Sequence, residues 1–275
     1  MMIKEKAYAK INLFLNIVNK RFDGYHDLEM VMASINLYDV LTFKSIPTPV
    51  IEVESNVLIA DNVEDNIVYK IASFLQENFE VTSGVHIHID KNIPIAAGLA
   101  GGSADAAATL RALNVLWKLN LSLEQLAKIG LQFGSDIPFC VYNKMAIAKG
   151  VGEDLSFFKK KLKEKVLIVN PNIEISTKKV FGLIDKPYLV DKPISKIVEV
   201  IKNRDFIGIK REMYNHLEHI TFKMHPELRV LKNELIDLGL EATLMSGSGA
   251  SIYSLSNNGK KIMNLSTNID KNYYV

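Results

Sequence analysis

Apolar positions in the first third of the chain alternate more than they cluster. Residues Ala9 to Val18 alternate loosely, a break follows at Arg21-Phe22-Asp23-Gly24, and Leu37 to Phe43 reads as extended. Ile67, Ile71, Phe74 and Leu75 fall at helical spacing and predict a helix over 65–78. Val85-His86-Ile87-His88-Ile89 alternates cleanly, which predicts a half-buried strand with both histidines on its outer face. The pattern changes after Pro94. The run Ala97-Gly98-Leu99-Ala100-Gly101-Gly102-Ser103 leads into an Ala- and Leu-rich stretch, Ala104 to Leu119, that reads as helix. Ser122 followed by Gln125 is a capping-box signature for a second helix ending near Phe133 and stopped by Gly134-Ser135.

Farther along, Cys140 to Val141 and Met145 to Ala148 read as strands, with a polar turn over 150–154. The basic run from Lys159 to Lys165, ahead of the apolar strand Val166 to Val169, marks a boundary between domains of residues 1–160 and 161–275; a solvated surface turn has the same composition. Helices are predicted near Ile194 to Lys202, Ile207 to His219 and Glu227 to Leu238, the last closed by Gly239, and strands at Glu241 to Met245 and Ser251 to Leu255. No repeat of fixed period appears.

Composition narrows the function classes. The 275 residues are 48% hydrophobic and 23% charged, enough for a sizeable core, and 15 Gly with 8 Pro exclude a low-complexity chain. A net charge of +2 is too balanced for binding driven by counterion release, so no nucleic-acid partner is expected. The lone Cys140 forms no intrachain disulfide and no Cys-rich zinc site, which reads as cytoplasmic. Lys10, Asn12 and Asn16 interrupt the only apolar stretch near the amino terminus, and no window is long and apolar enough to span a bilayer, so neither a signal peptide nor a membrane partner is expected.

Several residue groups could carry chemistry. The glycine loop between a strand and a helix offers unhindered N–H groups and a helix amino terminus to phosphate oxygens. Tight packing of a loop on a sheet would use the same residues. The loop has no Gly-Lys-Ser/Thr and is no dinucleotide fingerprint, so its charge must be neutralised by the helix dipole, a metal ion or basic residues elsewhere. Lys10 is one candidate. With Asn12 it interrupts an apolar strand pattern, which suggests a partly buried polar site; two outward-facing residues on an edge strand would give the same pattern. Asp136, between a helix stop and apolar residues, could accept a proton from a substrate hydroxyl or form an ordinary turn, and Asp105 complements a helix dipole. Tyr25-His26 follows the turn at Asp23-Gly24, and Met245 to Ser251 makes a second glycine turn that could close over an anion or be a plain hairpin. His86/His88 and His216/His219 lack a third ligand and read as surface histidines.

Taken together, Ala7 to Leu13, Asp23 to His26, Pro94 to Ala107, Gly134 to Phe139 and Leu244 to Ala250 resemble, in order and approximate spacing, the GHMP small-molecule kinases. The two glycine turns are shared across that family, whereas Asp23-Gly24-Tyr25-His26 and Ala9-Lys10-Ile11-Asn12 point to its branch acting on a cytidine diphosphate ester of methylerythritol. The resemblance implies a two-domain α+β fold, with an amino-terminal domain like the second domain of ribosomal protein S5 and a ferredoxin-like carboxyl-terminal domain. It implies ATP as phosphoryl donor, Mg2+ with no side chain assigned to it, and phosphorylation of a hydroxyl on the methylerythritol moiety. It also implies roles. Asp136 matches the family's base and Lys10 its partner; Asn66, Pro94, Gly98, Leu99, Ala100, Gly101, Gly102 and Ser103 match the ATP side; Asn12, Tyr25, His26, Thr177 and Phe181 match the substrate side, Tyr25 and Phe181 as the pair enclosing cytosine. A monomer or weak homodimer is expected. Ala100 and Ala104 stand where the family's loop often has Gly and Ser, Tyr8 replaces a frequent Pro, and Ser135 replaces Ala. A kinase for homoserine or mevalonate, or a nucleotide-binding regulator without turnover, remains an alternative at this point.

Overall fold

The computed structural model describes residues 1–184, 192–267, 269 and 273–274. They divide into two compact units, one of residues 1–9, 34–95 and 100–143, the other of 10–33, 96–99 and 144–275.

Two long strands, β1 (Met2–Lys20) and β2 (His26–Ile46), contribute residues to both units. In the first unit, the second half of β2 pairs antiparallel with β4 (Gly84–Asp90), and β4 pairs parallel with β3 (Ile51–Ser55). The helix α1 (Ile67–Asn78) lies before β4, and α2 (Gly101–Leu116), α3 (Leu123–Leu131) and α4 (Ile137–Tyr142) follow it. The period-2 pattern of β4 does what it predicts. Val85, Ile87 and Ile89 are wholly buried, while His86 and His88 face out toward Glu54. On the buried side α1 presents Val68, Ile71, Ala72 and Leu75 at helical spacing. Ala104, Ala106, Ala107 and Ala108 are all buried in α2, and α1, α3 and α4 all pack on that helix. Small side chains let a helix be approached closely on several sides. Ser122 and Gln125 close the capping box of α3 as the sequence predicts.

In the second unit, the first half of β2 pairs antiparallel with β5 (Ala146–Gly150), which turns into β6 (Asp154–Phe157). A separate antiparallel sheet has the order β7 (Lys165–Val169), β10 (Ile252–Ser256), β9 (Ala242–Met245). Between β7 and β9 run α5 (Thr177–Gly182), α6 (Ile194–Asn203), α7 (Phe206–Glu212), the two-residue β8 (Tyr214–Asn215), α8 (Glu218–Met224) and α9 (Pro226–Asp237); α10 (Gly259–Ser266) follows β10. Leu228, Leu231 and Leu235 of α9 are buried, and α9 packs on β9 and β10.

Three expectations are corrected. Cys140 and Val141 are helical, inside α4, whose first turn carries Pro138, a residue that costs nothing there because it lacks only an N–H that the turn would leave unbonded. The helix expected over 207–219 is interrupted. Tyr214 and Asn215 leave helical geometry to pair in parallel with Phe14 and Leu15 of β1, a long-range contact that no local periodicity reports. His216 is buried rather than superficial, 3.4 Å from Asn16 Oδ1, and burial, with His219 nearby, holds its proton affinity below the usual imidazole value.

Candidate active site

Strand β1 carries the first group of site residues. Its apolar neighbours Ile11 and Leu13 are fully buried, and so, against the edge-strand alternative, are Lys10 at 4% and Asn12 at 0% exposure. Burying an ammonium in a strand is costly unless it is paired. Lys10 Nζ donates to Asn12 Oδ1 at 2.7 Å, Asn12 Nδ2 lies 3.5 Å from Met30 Sδ, and the Asn12 carbonyl accepts from the buried Tyr253 hydroxyl at 2.8 Å. The Lys10 amide donates to the Leu99 carbonyl at 3.0 Å, which ties this strand to the glycine loop.

Both glycine turns meet at this strand. Gly98 has φ +74°, and a β-carbon there would stand 2.2 Å from the Ser246 carbonyl oxygen and 2.8 Å from that of Gly249. Ser246 Oγ donates to the Gly98 carbonyl at 2.9 Å, and the Ser251 amide to that of Ala97 at 3.2 Å. A β-carbon on Gly247 would in turn lie 3.3 Å from Lys10 Nζ. The second glycine turn does join β9 and β10 as a hairpin, and its outer loop is pressed against the first. Asn215, which sequence reasoning did not single out, holds it in shape by donating from Nδ2 to the Met245 and Gly247 carbonyls, both at 2.8 Å. A buried Asn between two helices is a weak signal without the fold.

Along the first loop, Ala96, Gly98 and Ala100 take φ of +52°, +74° and +57°. Alternating left-handed residues are the backbone pattern that turns neighbouring N–H groups to one side as an anion nest. Two of the three positions are alanine, so the loop holds strain of roughly 1 to 2 kcal/mol per residue, as functional loops commonly do. The Ala100 carbonyl accepts from the Ala104 amide at 2.8 Å, and α2 begins there. Leu99 is buried, Gly102 is exposed, and Ser103 and Pro94 are half-buried.

In the first unit, Asp136 stands half-buried at the start of α4, and its side chain makes no capping bond to that helix. Its backbone carbonyl accepts from the Cys140 amide at 3.1 Å. Asn66 is buried and caps α1, its Oδ1 accepting from the Val68 amide at 2.9 Å.

In the second unit His26 lies against Phe181. The His26 and Phe181 ring centres are 5.5 Å apart, Tyr25 beside them is 63% exposed, and His26 is 5% exposed. His26 Nε2 is buried with no hydrogen-bond partner among the described residues. Burial, with Lys20 nearby, lowers the imidazole's proton affinity and so favours its neutral form. Thr177 Oγ1 lies 2.9 Å from Ser248 Oγ, linking α5 to the second glycine turn. Among the described residues no three His, Cys, Asp or Glu side chains gather as a metal site, and no helix is long and apolar enough to cross a membrane.

Kinases are among the known proteins to which this chain is similar. The family described as GHMP kinases N terminal domain matches residues 66–144, and that described as GHMP kinases C terminal matches 197–275. A 4-diphosphocytidyl-2-C-methyl-D-erythritol kinase of Exiguobacterium sibiricum is 44% identical over 265 residues, covering 96% of this chain and 93% of that protein. One of Bacillus mycoides is 43% identical over 93% of this chain and 88% of its own. A crystal structure of 4-(cytidine 5'-diphospho)-2C-methyl-D-erythritol kinase superposes with a TM-score of 0.82 at 29% identity, covering 97% of this chain and 94% of that one. Homoserine kinase from Cytophaga hutchinsonii shares the fold at a TM-score of 0.75 and 19% identity, over 98% of this chain and 90% of its own.

Proposed function

This chain belongs to the GHMP kinase family, a two-domain fold of mixed α and β structure, and on that premise we propose that it transfers the γ-phosphoryl group of ATP to the 2-hydroxyl of 4-diphosphocytidyl-2-C-methyl-D-erythritol. The observation that carries the reading is the buried ammonium of Lys10, bonded to Asn12 and set against the second glycine turn on a strand tied to the first. A fold that only needed a core would place an apolar side chain there.

In this reading Asp136 accepts the hydroxyl proton as the new O–P bond forms and the bond from the γ-phosphorus to ADP breaks. Lys10 orients the hydroxyl and opposes the charge that spreads over the transferring group. Gly98, Leu99, Ala100, Gly101, Gly102 and Ser103 hold the phosphates, with Asn66 and Pro94 toward the adenine. Tyr25 and Phe181 enclose the cytosine and His26, whose buried Nε2 has no hydrogen-bond partner among the described residues, reads its hydrogen-bonding edge. Asn12 and Thr177 complete the substrate side. Residues 1–160 thus carry the ATP loop and the catalytic pair, and 161–275 add to the substrate pocket. Mg2+ is expected to accompany the nucleotide, with no side chain assigned to it; among the described residues no three His, Cys, Asp or Glu side chains gather as a metal site. The enzyme works in the cytoplasm on a small molecule, as a monomer or weak homodimer, without nucleic acid.

ATP consumption measured side by side with the cytidylyl alcohol, homoserine and mevalonate tests the assignment. Turnover is expected with the first alone; turnover confined to either of the others overturns it, and tight ATP binding with no transfer to any alcohol favours a regulator. Tyr25→Ala is expected to raise KM for the cytidylyl substrate by roughly 5- to 150-fold, the equivalent of ~1 to 3 kcal/mol of stacking, and to leave KM for ATP little changed. Equal weakening of both would contradict the cytosine pocket.

A further inference from the structure

The glycine loop contains no lysine, yet one lies directly behind it. Lys91, between β4 and the loop, has a side chain only 5% exposed, and its Nζ donates to Asp39 Oδ2 at 2.5 Å and to Asp105 Oδ2 at 2.8 Å. Asp39, on β2, is fully buried, and its other oxygen accepts from the Asn92 and Ile93 amides at 2.6 and 2.7 Å. Asp105 sits one turn into α2. Its Oδ1 is buried with no hydrogen-bond partner among the described residues. A β-carbon on Gly101, the first residue of α2, would stand 3.2 Å from Lys91 Nζ. Glycine there lets the ammonium lie against the first turn.

Three ionised groups would leave this cluster with a net negative charge behind a site built for polyphosphate. The structure avoids that. Burial raises Asp105 to about 8, with Lys91 opposing and Asp39 adding to the rise. Burial alone would lower Lys91, but Asp105 and Asp39 outweigh it and hold it charged. At neutral pH Asp105 therefore keeps its proton, and the ammonium is the member set against Gly101.

We propose that Lys91 is a positioning residue for phosphoryl transfer: clamped by Asp39 and Asp105, its ammonium fixes the first turn of α2 and presents positive charge to the nucleotide phosphates from behind the loop. This rests on the reading that the loop holds ATP. It gives the cradle the cation that its own sequence lacks, on a rigid mount that a mobile surface lysine would not have.

The sign of the pH effect follows. As pH rises through about 8, Asp105 loses its proton, the cluster gains a negative charge, and the loop attracts an anion less well. Around Asp105 the charged groups are Lys91 and Asp39; on the helices packed against α2, Lys70 and Glu77 of α1 and Glu124 and Lys128 of α3 are exposed, α4 has none, and Arg111 on α2 itself is bonded to Glu5.

Steady-state kinetics of the full chain from pH 7 to 9.5, with calorimetric binding of a non-hydrolysable ATP analogue, test the proposal. In the unaltered enzyme KM for ATP is expected to rise roughly 5- to 10-fold across that range, and Asp105→Asn is expected to remove the rise, because an amide has no proton to lose there. The double variant Lys91→Met/Asp105→Asn avoids stranding a second carboxylate and is expected to raise KM for ATP about ten-fold or more, with kcat and KM for the alcohol changing less. A folded double variant with an unaltered KM for ATP, or an undiminished pH rise in Asp105→Asn, overturns the proposal. Should the double variant not fold, the pH comparison decides alone. If the unaltered protein fails to phosphorylate the cytidylyl alcohol while analogue binding follows the expected pH course, the substrate assignment falls and the role of Lys91 stands.

Discussion

Replacing Asp136 with Asn is expected to lower turnover by roughly 10²- to 10⁴-fold, the usual contribution of a positioned general base. The amide keeps the size and shape of the carboxylate and removes its basicity. The side chain makes no capping bond to α4, whose first turn is closed by the backbone bond from the Cys140 amide to the Asp136 carbonyl. In the proposed role Asp136 acts on the acceptor hydroxyl and not on the donor, so affinity for a non-hydrolysable ATP analogue should stay within about two-fold. Single-turnover measurements with both substrates saturating separate the chemical step from binding and release. A variant that transfers phosphate at nearly the normal rate removes Asp136 from the mechanism, and one that also loses the analogue points to a structural role.

Gly98→Ala is expected to damage stability and nucleotide binding together. The position needs a left-handed residue, which costs an alanine about 1 to 2 kcal/mol. The added methyl would also stand 2.2 Å from the Ser246 carbonyl, a backbone atom that cannot rotate away, so the two glycine turns must separate at a further cost of roughly 1 to 3 kcal/mol. The sum, about 2 to 5 kcal/mol, corresponds to a fall in Tm of roughly 5 to 15 °C for a chain of this length. KM for ATP should rise with it, because Ser246 Oγ no longer holds the Gly98 carbonyl in place. Gly102→Ala is the comparison for stability. Nothing lies within 4 Å of a β-carbon at that position and its φ is not left-handed, so its Tm should change little. Equal Tm values for the two variants would show that close contact of the turns does not constrain the loop.

Much of the local structure was legible because it is written in short patterns. Strand β4 alternates, α1 repeats at helical spacing, α3 announces its start through Ser122 and Gln125, and Ala104 to Leu116 have little choice but helix. The glycine loop was legible for the same reason. Where a distant partner decided the outcome, the reading failed. Tyr214 and Asn215 break a helical pattern because β1 offers them a parallel pairing, and His216 is carried into the interior with them. Cys140 and Val141, apolar and β-branched in part, became helix because Pro138 and the packing of α4 on α2 and α3 outweighed a two-residue strand propensity.

The amino-acid sequence by itself determined which residue types were available for chemistry and in what order: a glycine-rich loop at a helix start, a lysine and an asparagine in an apolar strand, a carboxylate at a helix stop, an aromatic beside a histidine. Those are properties of neighbours in the chain, and nearest-neighbour sterics and hydrogen bonding govern them. Only the tertiary structure decided that Lys10 and Asn12 are buried, that the turn at Gly98 is locked to the one at Gly247, and that Asp39, Lys91 and Asp105 share one buried cluster. Each of these joins segments far apart in the chain, and the energies involved, desolvation and the pairing of charges in a low-dielectric interior, exist only once water has been excluded from between them.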